Sequence, residues 1–544
     1  MGNSRSKKAR ALPVDSPFDL PSLLPHWPPG GEFASGTVDL GGLIVAEVTS
    51  FNKVWTAYEG GPDNSGATFF EPTGIPQGFS ILGYYAQPNN RHLFGSVLVG
   101  KDASHDPSNS ALAEPTDYAL VWSSQSSSTK QESPGYIWAP IPPNGYNAVG
   151  LVVTTTPDKP PLEKVRCVRF DLTALAEPDE WIWNDNGFNI YESRPTSRGE
   201  QASAVSTGTF ITRTDKGTSN NVACLTKVKR NSFYMPNLDQ VHTLIQTYSP
   251  KIYIHPDEDY LPSSVTWFFT NGALLYNKDD ESNPTPVYPT GSNLPQGGSN
   301  DGSYWLDLPM DKTSRERVER GDIGSASAYV HIKPMFGGTY TDIAMWLFYP
   351  FNGGARAKVG MFNISLGKTG EHVGDWEHLT LRISNFNGKL KKAYFSQHSG
   401  GVWVHAPNLE FQDGNKFVGY ASLHGHANYP HAGLVLQGNG LIGIRNETDK
   451  SNIIWDIGKG YTIVSGDYLG AGVIDEPPWL NYARKWGPNI TYDIANEIDK
   501  AAKILPGKLK SDFLRVVQSL PKEVLGEDGP TGPKMKKNWY GDEK

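Results

Sequence analysis

The chain has 544 residues, including 57 Gly, 41 Pro and 15 Trp, and only 19% are charged, a balance that suits many short strands joined by tight turns. Its formal net charge of −8 at pH 7 comes with no basic stripe, which argues against a nucleic-acid partner. Cys167 and Cys224 stand in no metal-ligand spacing and read as thiols of a reducing compartment, and the longest apolar run, 343–349, stops at Pro350, too short to span a bilayer.

Residues 1–30 form a basic, Pro-rich tail. Met1-Gly2-Asn3-Ser4-Arg5-Ser6 fits the myristoylation pattern, with Gly2 as the acceptor. Arg5, Lys7, Lys8 and Arg10 supply the electrostatic second anchor that one acyl chain needs. No apolar signal-peptide core follows, so the sequons at Asn363, Asn446 and Asn489 read as chance. The expected location is cytoplasmic, with a fraction on endosomal, vacuolar or plasma membrane. The competing reading of this segment is a disordered basic tail.

Residues 31–235 carry an internal repeat. Pro76-Gln77-Gly78-Phe79 through Gly83 matches Pro143-Asn144-Gly145-Tyr146 through Gly150 at a period of 67, and Val54-Trp55 matches Val121-Trp122 at the same period. A duplicated all-β module is expected here. Residues 236–480 open with a short helical stretch, and strand-like runs then alternate with Gly turns, which predicts a β-sandwich. In 481–544, Ile494, Ile498, Ala501 and Leu505 recur at helical spacing. Leu509, Phe513, Val516, Val517 and Leu520 do so again, predicting two amphipathic helices packed on the sandwich. The expected fold is therefore mainly β: an N-terminal repeated, prism-like β module, then a β-sandwich with a short C-terminal helical tail.

The chemistry concentrates in one place. Seven of the 13 His fall between 372 and 431, around Asp375 and Glu377. Read as a strand, the segment puts Asp375, Glu377, Leu379, Leu381 and Ile383 on one face and Trp376, His378, Thr380 and Arg382 on the other. Two carboxylates on the aliphatic face need a compensating charge. A divalent cation held with His372 supplies it, and oxygen ligands plus one imidazole suit Mg, Ca or Mn better than Zn. The alternative places both carboxylates at a sandwich rim, bonded to Arg, His or backbone donors. Trp376, His378, His398 and His426 are the expected ligand-binding neighbours. No H-E-x-x-H, G-x-S-x-G or phosphate-cradling glycine loop occurs, so no catalytic residue is assigned.

Three segments carry a resemblance. Ile254-His255-Pro256-Asp257-Glu258 with Leu261-Pro262-Ser263-Ser264-Val265, residues 370–378, and Gly529-Pro530-Thr531-Gly532-Pro533-Lys534 look like the plant family named vacuolar protein sorting-associated protein 62. That resemblance runs from about residue 31 to the C-terminus and implies a role in trafficking. The Pro-x-Gly-aromatic units of the first module also look like segments of the large lipid-transfer proteins of the vacuolar sorting class.

Glu371-His372-Val373-Gly374-Asp375-Trp376-Glu377 is similar to the Gly-His-Arg-His-Asp-Trp-Glu heptapeptide of the necrosis- and ethylene-inducing-like toxins. Those are secreted β-sandwich cytolysins that bind a divalent metal and plant sphingolipid headgroups. The resemblance implies His372, Asp375 and Glu377 as metal ligands, with Asn352 where the toxins have Asp. Asn352 removes one negative charge, and Gly374 replaces the heptapeptide's second His.

The function expected from these readings is a non-enzymatic peripheral membrane protein of vacuolar or endosomal trafficking. A divalent cation would help it bind a lipid headgroup or glycan. Two other readings stay open: a metal-dependent hydrolase using the same cluster, and a protein-interaction scaffold.

Overall fold

The computed structural model describes residues 11–104, 109–217, 220, 222–228, 232–398, 400–439, 441–519 and 529–543. The Gly2 acceptor and its basic cluster lie outside the described residues. The fold is mainly β, with many small sheets and a few short helices, as the composition implies.

Three copies of one unit build the N-terminal module. In the first, Ser50–Ala57, Ala67–Thr73 and Tyr85–Pro88 form an antiparallel sheet. Leu43–Val48, Val97–Asp102 and Ser80–Ile81 form its companion. The second unit repeats both sheets: Asp117–Ser123, Tyr136–Ile141 and Val152–Thr154 beside Leu112–Ala113, Cys167–Arg169 and Tyr146–Asn147. A third unit follows the same scheme, with Ala176–Asp185, Phe188–Pro195 and Phe210–Thr214 beside Thr173–Ala174, Cys224–Thr226 and Ala204–Val205. The sequence period reveals two of these units; the module has three.

The three units close into a ring. Backbone bonds close each seam: Leu98 N donates to Thr207 O at 2.9 Å, Arg166 N to Ile81 O at 2.9 Å, and Ala223 N to Ala148 O at 2.8 Å. Inside the ring, Trp55, Trp122 and Trp183 pack on one another with centroids 5.3, 5.3 and 5.6 Å apart. Gly83 and Gly150 meet backbone to backbone: a Cβ on Gly83 would stand 2.5 Å from Gly150 Cα. Thr209 occupies the third corner.

The second module is layered around a six-stranded sheet. Its order is Gly400–His405, Leu390–Gln397, His372–Ser384, Tyr340–Asn352, Ala328–Met335, Tyr461–Ser465. One face packs on the Lys251–Ile254 and Lys416–Ala421 strands and on the Leu238–Tyr248 helix. A capping box starts that helix: Asn237 Oδ1 accepts from Gln240 N, and Gln240 Oε1 accepts from Asn237 N. Val241, Leu244, Ile245 and Tyr248 then recur at helical spacing and are fully buried. The other face of the sheet is covered by the Val265–Thr270 helix, Trp479, Trp486 and Trp539.

Burial on both faces explains why the central strands read as continuous apolar runs. The helices Ile494–Ala502 and Gly507–Gln518 pack through Ile498, Ala502, Leu505, Phe513 and Val517 against Ala357, Val359, Ile442 and Ile444. That contact lies on a smaller sheet formed by Phe362–Ser365, Arg356–Val359, Ile442–Thr448 and Gly433–Gly438.

Candidate functional site

Tyr340–Asn352 and His372–Ser384 run antiparallel and set the site's register, pairing Asn352 with His372, Tyr349 with Asp375 and Leu347 with Glu377. Strand alternation sends Leu379, Leu381 and Ile383 into the first core, and Asp375 and Glu377 continue that face. Trp376 points the other way, into the second core, against Phe348, Trp479 and Trp486. Gly374 has φ +66°, and a Cβ there would stand 2.7 Å from Trp486 O, so no side chain fits where the toxin heptapeptide carries its second His.

Asp375 and Glu377 are 7% and 6% exposed. Asp375 Oδ2 lies 2.9 Å from His426 Nδ1. His426 is fully buried and stacked flat on Tyr349 with centroids 3.8 Å apart; its Nε2 is 3.8 Å from Glu258 Oε2. Glu258 in turn accepts from His424 N and Tyr260 N at 2.6 and 3.0 Å. Burial works to lower the His426 pKa, but hydrogen bonds with Asp375 and Glu258 raise it to about 10. Burial raises Glu258, yet bonds with His424 and His426 hold it far below the usual carboxylate range. Asp375 is likewise raised by burial and ends low, through the His426 bond and the charges of His372 and His426. Glu377 goes the other way: burial and the Asp375 charge push its pKa well up, and Ser396 Oγ donates to its Oε2.

Each remaining candidate has a defined place. His372 Nδ1 is 2.9 Å from Gly374 O, and burial pushes its pKa down. The Asn352 amide donates to Gly353 O and Gly370 O, which leaves its Oδ1 as an acceptor. His378 stacks on Trp346 at 4.4 Å. His398 Nε2 is 2.9 Å from Asn446 Oδ1. His398, His424 and His426 all have positive φ, near +57°, +67° and +52°. Such backbone is uncommon outside Gly, and His is among the residues that tolerate it best.

A cleft of about 1080 Å³ opens over this cluster. Asn352, His372, Asp375, Trp376, Glu377, His378 and His398 line it. His426 does not; it lies beneath the floor. The indole N–H groups of Trp346 and Trp376, both packed in the second core, are buried without a hydrogen-bond partner. Arg356, Arg445 and the 529–543 segment complete the walls. Sequence reasoning named the strand residues but gave no role to Glu258, Ser396, Arg356 or Glu543. Glu258 was within reach, because it belongs to the Ile254–Glu258 motif.

The donor set can be weighed for a cation. Two buried carboxylates on one strand face, one raised by the other's charge, with a neutral amide oxygen and an imidazole at the same cleft, are by type donors for a hard divalent ion. His372, Asp375 and Glu377 are not drawn into one tight ligand group. Among the described residues the grouping with all ligand atoms within 4.8 Å is Glu180, Glu192 and His405. That group sits where the modules meet and is already neutralised by Arg91 and Lys392.

A family model described as vacuolar protein sorting-associated protein 62 matches residues 14–543. No curated protein matches the chain. Among solved structures, GNIP1Aa from Chromobacterium piscinae is 20% identical over 35% of this chain and 38% of its own, with a TM-score of 0.28. Necrosis and Ethylene inducing Protein 2 from the causal agent of cocoa's Witches Broom disease is 12% identical over 42% of this chain and 75% of its own, with a TM-score of 0.20. NLPPya in complex with glucosamine is 12% identical over 48% and 89%, with a TM-score of 0.21. The chain thus spans well under half of the first of these, and all three likenesses are too distant to bear on function.

Proposed function

From the premise that the chain belongs to the vacuolar protein sorting-associated protein 62 family, we propose that it is a non-enzymatic binding protein of vacuolar sorting whose cleft takes a hydroxyl-rich headgroup. A divalent cation (Mg, Ca or Mn) on Asp375 and Glu377, with His372 and Asn352 beside them, would bridge protein and ligand. The observation that carries this reading is the composition of the cleft wall. Two buried carboxylates line the cleft together with the Asn352 amide, Arg356 and Arg445, so acceptors and donors border one space. Sugar or inositol hydroxyls both donate and accept, and they satisfy such a set where an apolar ligand would leave it unpaired.

A membrane contact fits the smaller sheet that borders the cleft. Arg356–Val359 runs from Arg356, at the cleft, to a hairpin tip at Gly360 and Met361. Gly360 N donates to Leu441 O at 2.8 Å, so two hairpin tips stand side by side. Met361 is 88% exposed and Leu441 70%. Lys503 and Lys508 are exposed on the nearby helical turn, where Leu509 approaches Gly360. Apolar tips flanked by lysines suit an anionic bilayer interface, and Gly2 acylation would add a second anchor. No helix among the described residues is long and apolar enough to cross a membrane.

A lipid and glycan array probed with wild type and Asp375→Asn, each with Ca or with chelator, tests the proposal. Binding that needs both Asp375 and the cation supports it. Equal binding by both proteins, or turnover of the bound glycan, overturns it; turnover points to the hydrolase reading.

A further inference from the structure

The 529–543 segment runs along the strand that carries the cleft carboxylates, pinned at both ends of the stretch 374–378. At one end, Trp486 N donates to Pro530 O at 2.8 Å, and Trp486 is the residue whose carbonyl excludes a side chain at Gly374. A Cβ on Gly532 would stand 2.8 Å from Trp486 Nε1, so the segment lies directly on that indole. At the other end, Asn538 Nδ2 lies 2.8 Å from His378 Nε2, and Trp539 is buried beside Trp346 with ring centroids 6.0 Å apart. Between these anchors the Pro533–Met535 turn closes with Lys536 N donating to Pro533 O at 3.0 Å. Trp539 N donates in turn to Lys536 O at 3.0 Å. The Lys536 backbone is therefore fixed on both sides, in the stretch that passes Asp375 and Glu377.

Its side chain lines the same cleft as His372, Asp375 and Glu377. Lys536 is half-buried, between the exposed Met535 and Lys537. Burial weighs most on the three cleft groups, raising the carboxyls and lowering the imidazole. The Lys536 charge acts on each as well and lowers all three. One ammonium on the 529–543 segment thus serves both carboxylates of the strand. Lysine suits that part: it is a compact charge on a flexible four-carbon stem, able to swing toward water while its backbone stays in place.

We propose that Lys536 is the tethered counter-cation of the Asp375–Glu377 pair, and that a divalent ion binds there by displacing its ammonium toward solvent. The inference rests on the cation reading of this cleft and adds what controls it. Ammonium and ion carry like charge in one partly buried site, so each weakens the hold of the other. The lysine also explains a feature of the donor set. His372, Asp375 and Glu377 do not form one tight ligand group among the described residues. A point charge on a flexible stem needs no such group, whereas a hard divalent ion gathers several oxygen donors around itself.

Calorimetry on the full chain with Mg, Ca and Mn tests this by comparing wild type, Lys536→Met and Lys536→Arg. Methionine keeps much of the stem and removes the charge; arginine keeps the charge. Lys536→Met is expected to bind at least one of the ions tighter than wild type by about tenfold or more. Lys536→Arg should bind no tighter than wild type, and Lys537→Met, the exposed control, should shift affinity far less than Lys536→Met. Amine acetylation of wild type read by mass spectrometry adds a test that needs no variant. Lys536 should react severalfold faster with the ion bound than in chelator, and Lys537 equally in both; this decides the matter if Lys536→Met does not fold. Equal affinity of Lys536→Met and wild type, or Lys536 labelling unmoved by an ion that binds, overturns the proposal and leaves the cation reading standing. Failure of every folded protein to take up any of the three ions overturns both.

Discussion

Glu543 Oε2 stands 3.1 Å from His378 Nε2, bringing the C-terminal end of the described chain against the strand that carries the cleft carboxylates. Thr380 Oγ1 and Asn538 Nδ2 also donate to Glu543, both at 2.6 Å. Asp542 pairs with Arg382 and Arg198. Trp539 is buried and stacks on His331 with centroids 4.0 Å apart. Residues 529–543 therefore act as a strap that forms one wall of the cleft.

The strap should be acid-sensitive. Although burial raises the Glu543 pKa, the His378 charge and hydrogen bond lower it from the ordinary 4.5 to about 2. A native pKa below the unfolded one gives stability that is fully present above pH 4.5 and fades as pH falls toward 2. A shift of this size corresponds to about 3 kcal/mol. Glu543→Gln should lower the melting temperature by several degrees at pH 7, and the gap to wild type should close as pH approaches 2. A gap that stays constant with pH would mean that the carboxylate charge contributes nothing.

The ring of three units should be sensitive at its glycines. A Cβ on Gly83 meets the Gly150 backbone at 2.5 Å, and neither chain can yield without opening a seam. Gly83→Ala is expected to cost about 1–3 kcal/mol in chemical denaturation. Gly507 meets nothing within 4 Å and begins a helix. Gly507→Ala should therefore be neutral or stabilise by about 0.5–1 kcal/mol.

The first two units were legible because the Trp55/Trp122 pair and the Pro-x-Gly turns share one offset and one turn chemistry. The third hides for physical reasons. Trp183 follows Trp122 at a shorter interval, the Pro-x-Gly turn is gone, and Thr209 stands where the other units have glycine. In the site, the faces of Asp375 and Glu377 could be read because a strand's period of two is local. The partners that set their charge are not local. His426 reaches Asp375 across 51 residues, and Glu543 reaches His378 across 165. Helical spacing likewise showed Ile498 and Phe513 as buried positions, but not which sheet they cover.

Membrane contact through the paired hairpin tips gives a separable outcome. Met361→Asp with Leu441→Asp places two charges at side chains exposed by 88% and 70%, where folding should be indifferent. Co-sedimentation with anionic vesicles should fall about tenfold, while the melting temperature holds. In cells, Gly2→Ala should move the membrane-bound fraction to the cytosol. High salt should weaken vesicle binding only in part, because it screens the lysines and not the apolar tips. Undiminished sedimentation of the double variant would remove the tips from the reading.

The cation prediction turns on Glu377. Its pKa is pushed well above 4.5 by burial and by the Asp375 charge, so the metal-free protein loses stability as pH rises from 4.5 toward the native pKa. In chelator at pH 8, Glu377→Gln should therefore melt higher than wild type. A divalent cation reverses that order, because it compensates both carboxylates in wild type and has one fewer to hold in the variant. Calorimetry on the full chain with Mg, Ca and Mn should show modest affinity that weakens at acid pH, where protons compete for Glu377 and His372. Asp375→Asn should abolish it. Asn352→Asp should tighten it by adding a negative charge at the cleft. If Glu377→Gln melts above wild type with and without every one of the three ions, the buried pair is held by protein groups alone, and no cation belongs at this cleft.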